Sequence, residues 1–141
     1  MKIIEYLGQA YRLDLRINSH IEELDALNEM IYGISSPKLS ERVSTSPTNE
    51  APFVKTICKM VEMQDLINSE IDKFVDLKKQ IREVIDAVSN PNEAMVLRYR
   101  YISNLTWEEI AIEMHADKST IRRWHSTAIA KVKMPDNPIV I

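Results

Sequence analysis

Apolar residues recur at intervals of three and four, or at multiples that keep the same seam, from Ile3 through Leu7, Ala10, Ile17, Ile21 and Leu24 to Ile31. That spacing stays on one side of an α-helix and predicts a helix over most of residues 2–32. Asp14 and Asn28 fall on the seam, but Leu13 and Leu27 stand beside them, so a slight rotation keeps the stripe continuous. A second stripe follows Pro52, a residue tolerated in a first helical turn, and runs through Phe53, Ile57, Met60, Ile67, Ile71, Phe74, Ile81, Ile85 and Val88. Gln64 and Lys78 interrupt it, again with apolar neighbours, Met63 and Leu77. Such a helix would be about 55 Å long at ~1.5 Å per residue. Periodicity alone does not stabilise it; the stripe needs a partner.

Between the stripes, Gly33 offers a stop, and the Ser-, Thr- and Pro-rich run after it predicts a loop over 33–50. A connection of that length lets the first helix fold back antiparallel on the second. Helices of separate chains can pair equally well, and self-association is the expectation. Asp14, Asn28, Gln64 and Lys78 are candidates for fixing register.

Ser89-Asn90-Pro91-Asn92 breaks the second stripe. Three short helices are predicted beyond it, over 92–102, 106–114 and 118–132, and then a tail. Thr106-Trp107-Glu108-Glu109 carries the capping-box pattern, with Ile110, Ala111 and Met114 inward. His115-Ala116 makes a short connection without glycine, and Asp117 is placed to cap the next helix. Counting ~100° per residue from inward Ile121, residues Ser119, Arg123 and Ser126 point away from the core. Arg122, Thr120 and Thr127 flank them, while Trp124, His125, Ala128 and Ile129 turn back inward. Val96, Leu97 and Ile102 are expected to complete the hydrophobic centre, and Arg98 and Arg100 to approach phosphate or a protein carboxylate.

Two short helices across a tight turn, the second with hydroxyls and guanidiniums outward, form a unit that sets a helix in the DNA major groove. Lys118, Ser119, Thr120, Arg122 and Arg123 are therefore the candidate DNA-contacting set. An arginine can give two hydrogen bonds to guanine, and the hydroxyls can reach a base edge or a phosphate. Lys131 and Lys133 are candidates for phosphate.

The fold expected is all-α. A long antiparallel helical hairpin or coiled coil occupies 1–89 as an oligomerisation arm, a three-helix DNA-binding domain occupies 90–134, and a tail occupies 135–141.

A net charge of -3 argues against a nonspecific nucleic-acid coat, but its distribution is uneven. Residues 1–88 carry 11 basic and 15 acidic side chains, whereas Lys118 to Lys133 holds five basic residues and no acid. The lone Cys58, beside Ile57 and Met60, predicts a buried thiol in a reducing compartment. No apolar run approaches the ~20 residues needed to cross a bilayer. Charges at Lys2, Glu5, Arg12 and Asp14 interrupt any secretory signal, so a cytoplasmic protein without membrane partners is expected. His20 and His115 are isolated, which predicts no metal site. Paired carboxylates, a nucleophile arrangement and a phosphate-binding glycine loop are also lacking, so neither an enzyme nor a cofactor is expected.

The blocks YRYI, LTWEEIA and KSTIRRWHSTAIAKV, within 96–132, resemble region 4 of the sigma-70 family. The whole chain is similar to small regulators from prophages of Gram-positive bacteria, of the RinA and ArpU types. That resemblance implies a support helix, a turn-entry helix and a recognition helix. It places Lys118, Ser119, Thr120, Arg122 and Arg123 in the DNA-reading part, and Ile110, Ala111, Ile121 and Ile129 in the core. It further implies control of a phage late operon, with host RNA polymerase as a partner. The other regions of a complete sigma factor are not recognisable here, which favours an accessory regulator over an independent sigma factor. The expected function is a sequence-specific transcription regulator that binds double-stranded DNA as a homo-oligomer. The alternative is a phage packaging or assembly adaptor, comparable in role to a small terminase subunit.

Overall fold

A computed structural model describes residues 1–33 and 50–141, and among them every regular element is helical. The loop expected over 33–50 lies, from residue 34 to residue 49, outside the described residues. The chain begins with α1 (Ile3–Leu7) and α2 (Gln9–Gly33), which meet at Gly8. Gly8 donates to the Ile4 carbonyl at 2.9 Å, and a Cβ there would approach that oxygen to 3.2 Å. The predicted first helix thus exists with one irregular joint. The 37-residue α3 (Glu50–Asp86) is the predicted second helix and holds Pro52 in its first turn.

Compact packing divides the chain into two units, one of residues 15–72 and one of residues 1–14 with 73–141. Both cuts fall inside long helices. The boundary expected at 89/90 is a change of element.

Within residues 15–72, α2 and α3 touch along their length. Arg16 and His20 meet Glu70, while Glu23, Ala26 and Leu27 share a groove with Lys59, Glu62, Met63 and Leu66. Ile17 and Ile67 are buried, and Glu70 is buried among them. Arg16 Nε bonds Glu70 Oε2 at 3.2 Å. His20 Nδ1 lies 2.7 Å from Glu70 Oε1 but off the axis of a hydrogen bond, so it counts as a close polar contact only.

The rotation anticipated at Leu13 occurs, whereas Leu27 and Asn28 are both half-buried. Leu13 is buried, and Asp14 lies at the edge of the stripe. On α3 the inward line passes through Met60, Met63, Ile67, Glu70, Phe74, Leu77 and Ile81, again at spacings of three and four. Ile57 and Ile71, expected on the inner seam, are 39% and 40% exposed, and Phe53 and Ile21 are exposed too. Two registers of the same period coexist on these helices. The one that admits Leu77 and Met63 leaves the other in water.

Cys58 is exposed rather than buried. Its neighbour Ile57 belongs to the outward register, and the thiol faces out with it.

In the other unit, Tyr6, Leu7, Ala10 and Leu13 are buried, as are Leu77, Ile81 and Ile85. Full burial of a leucine or isoleucine side chain stabilises by ~1.5–3 kcal/mol. The Tyr6 hydroxyl donates to Gln80 Oε1 at 2.7 Å, joining the two stripes. Asn90 then starts α4 (Pro91–Leu97), its side chain accepting from the amides of Asn92 and Glu93, with Pro91 in the first turn. A π-helical turn (Arg98–Ile102) extends α4, closed by Ser103 N–H donating to the Arg98 carbonyl. The extra residue per turn is the unpredicted feature of this segment. Lys78, which interrupted the sequence stripe, donates to the Ile102 carbonyl at 2.9 Å and covers the Phe74 ring. Next come α5 (Trp107–Met114) and α6 (Lys118–Lys131), within a residue or two of the predicted bounds.

Candidate nucleic-acid interface

The core of the α4–α6 module is small and fully apolar. Val96, Ile110 and Ile121 are buried against one another, ringed by Tyr99, Leu105, Trp107, Ala111, Met114, Ala116 and Trp124. Each helix contributes one central residue, so the three axes are fixed by a single cluster. Ala128 is buried further along α6 and Ile129 partly so, which matches the inward side expected for that helix.

The connection from α5 to α6 is set by local chemistry. Thr106 Oγ1 accepts from the Glu109 amide at 3.2 Å, and the Glu109 carboxylate reaches back to the Thr106 amide, closing the capping box. His115 ends α5 in the left-handed conformation, φ 51°, the region that favours glycine. Its amide donates to Ile112 O and the Ala116 amide to Ala111 O. Asp117 stands at the N-cap of α6, but its side chain makes no cap hydrogen bond, contrary to expectation. Its backbone has the extended cap geometry, and the sequence alone could not distinguish that position from a bonded cap.

A polar and aromatic cluster fixes the far half of α6. The Tyr101 hydroxyl lies 2.7 Å from His125 Nε2, and the Trp107 ring meets His125 edge-on at 4.8 Å. Arg100 lies over the Trp107 face at 4.5 Å and donates to the Leu105 carbonyl. Burial, with Arg100 nearby, pushes the His125 pKa down; burial pushes the Tyr101 hydroxyl up. Both groups are therefore neutral near pH 7, and which of them donates in this hydrogen bond is set by the His125 tautomer. His125 lies on the inward side expected for it and is hydrogen-bonded there. The role of Tyr101 depends on the π turn and was not foreseen.

The candidate DNA-contacting residues separate by partner. Lys118, Ser119, Arg122 and Arg123 are exposed, and Thr120 is half-buried. Lys118 is ion-paired with Glu108 across the turn. The hydrogen bond from Lys118, helped by the Arg122 charge, holds the Glu108 carboxyl below its ordinary pKa. Lys131 contacts both oxygens of buried Glu93, at 3.0 and 3.2 Å, and so ties the end of α6 to α4. Arg98 finds a protein carboxylate, Asp86, at 3.2 Å. The side chains of Arg122, Arg123 and Lys133 make no hydrogen bond or ion pair among the described residues. The cations unspent on this module thus gather on the outward side of the first two turns of α6, with Lys133 just beyond its end.

No group of histidine, cysteine or acidic residues able to hold a metal occurs among the described residues, and no described helix is long and apolar enough to cross a membrane.

No curated protein and no solved structure matches this chain. The family model described as "Protein of unknown function (DUF722)" matches residues 2–134, which takes in both long helices and the whole α4–α6 module. The chain therefore belongs to the DUF722 family.

Proposed function

We propose that this protein is a sequence-specific DNA-binding regulator of transcription. In this reading α5, its left-handed turn and α6 act as a helix-turn-helix of the sigma-70 region 4 kind, with α6 in the major groove. The observation that carries the proposal is the division of labour on α6. Ile121 and Ala128 are buried, while the Arg122 and Arg123 side chains stand outward beside Ser119 without a hydrogen bond or ion pair among the described residues. An unspent guanidinium pair on a rigid helix suits bidentate contact with guanine, and the hydroxyl suits phosphate or a base edge. An α-helix with side chains is ~10–12 Å across, which a major groove of ~12 Å admits. Lys118 and Lys131 are already engaged by Glu108 and Glu93, so Lys133 is the better phosphate candidate of the peripheral lysines.

The antiparallel α2–α3 pair serves in this reading as the arm that joins copies of the chain. Its outward register of Ile57, Val61 and Ile71 supplies apolar surface for that purpose. Two readers on one assembly would strengthen occupancy of paired half-sites by raising the local concentration of the second. The sigma-like likeness adds control of phage or prophage late genes, with host RNA polymerase as the recipient of the signal.

Selection from a random duplex library with purified full-length protein tests the proposal. The expected result is a reproducible motif whose binding weakens steeply with salt. Binding indistinguishable from that to random duplex would remove the sequence-reading role. Dependence on a packaging ATPase without promoter binding would favour an assembly adaptor instead.

A further inference from the structure

After Lys133 the chain is not loose. It returns to the start of α2 and the end of α3, where two glutamine side chains hold its backbone. Gln80 Nε2 donates to the Asn137 carbonyl at 2.9 Å, and Gln80 Oε1 accepts from the Ile139 amide at 2.9 Å. Gln9 Nε2 donates to the Ile139 carbonyl at 2.8 Å, and Gln9 Oε1 accepts from the Ile141 amide at 2.9 Å. Residues 137, 139 and 141 are therefore bonded while Val140, 62% exposed, faces solvent. Alternate residues engaged through their backbone is how the edge of a β-sheet receives a strand. Here two carboxamides, each both donor and acceptor, replace the neighbouring strand.

The slot is built rather than incidental. Gln9 is 2% exposed, and its amide is further fixed by a bond to the Tyr6 carbonyl; Gln80 is oriented by the Tyr6 hydroxyl. Both glutamines are thus set by groups outside the strap. Residues Lys131–Lys133 and Pro135 span a recess of about 420 Å³ lined by Val84, Ala87 and Val88.

We propose that the Gln9–Gln80 slot is a docking site for a peptide segment of the 137–141 kind, recognised through the backbone of alternate residues. Its occupant here is this chain's own 137–141 segment, held as an exchangeable latch. The inference is independent of whether α6 reads DNA.

Hydrogen exchange on the full chain tests it. The amides of Ile139 and Ile141 should be protected and that of Val140 should exchange freely. Gln80→Ala should raise exchange at Ile139 at least tenfold, with far-ultraviolet circular dichroism unchanged. Synthetic peptide Asp-Asn-Pro-Ile-Val-Ile in excess should displace the latch and accelerate exchange at both amides saturably. The same peptide N-methylated at the positions matching Ile139 and Ile141 should not displace it, while N-methylation at the position of Val140 should have little effect. Uniform exchange over 139–141 would remove the glutamine ladder. A peptide that fails to compete at millimolar concentration, or competes regardless of where it is methylated, would overturn the docking site.

Discussion

The hydroxyl of Tyr101 lies 2.7 Å from Nε2 of His125, linking the π turn to the middle of the helix that presents Arg122 and Arg123. A one-residue widening of the backbone thus helps to aim the exposed side of α6. The pair is neutral on both sides, which makes it sensitive to acid.

A histidine whose folded pKa is lowered binds fewer protons folded than unfolded. Its stabilisation is whole above the ordinary value of 6.5 and is lost as pH falls through the folded value. Melting temperature should therefore drop between pH 7.5 and pH 5. His125→Gln should be less stable at pH 7.5 but flatter over that interval. An identical acid slope in the variant would mean that other groups control the response.

Arg123→Ala should weaken specific DNA binding by about 1–3 kcal/mol, roughly 5- to 150-fold, if the guanidinium makes a bidentate base contact. Its side chain has no partner among the described residues, so melting should stay within about 0.5 kcal/mol of the parent. Lys131→Ala should behave oppositely, because it strands the Glu93 carboxylate, only 5% exposed. The lysine is half open to water, so the loss should be roughly 1–2 kcal/mol rather than that of a fully buried pair. Equal loss of folding in both variants, measured by thermal melts beside binding, would contradict this division.

His115→Gly should stabilise the α5–α6 turn by about 0.5–1 kcal/mol, because glycine occupies the left-handed region without the clash of a Cβ. His115→Val should destabilise it by more than about 1 kcal/mol, β-branching being worst there. Urea titration of the three proteins gives the order directly. Parent and glycine forms of equal stability would show that the turn carries no strain.

Cys58 should react with a thiol reagent in the folded chain, since its side chain is exposed. Modification should proceed under native conditions at a rate close to that in denaturant. Protection of Cys58 that rises with protein concentration would instead place it inside a contact between copies, and would locate the assembly surface on the outward side of α3.

Much of this architecture follows from local rules that a sequence states openly. Apolar spacing of three and four specified both long helices, because only one side of each can be withdrawn from water. Ser89-Asn90-Pro91-Asn92 marked the break before α4, and Thr106 with Glu109 marked the start of α5, since exposed backbone amides need nearby oxygens. The inward assignment of Ile110, Ile121 and Ala128, and the outward one of Arg122 and Arg123, came from helical angle alone.

Tertiary structure decided what those rules leave degenerate. Ile57 and Met63 belong to registers of equal period, and only packing against α2 selects the one that is withdrawn from solvent. Glu93 and Lys131 are 38 residues apart and Gln9 and Ile141 are 132 apart, so no local pattern announces either pair. Those contacts turn a list of basic residues into two free guanidiniums and bind an extended segment to the helices. Long-range pairing depends on where whole elements come to rest, whereas periodicity and capping depend only on a residue's near neighbours in the chain.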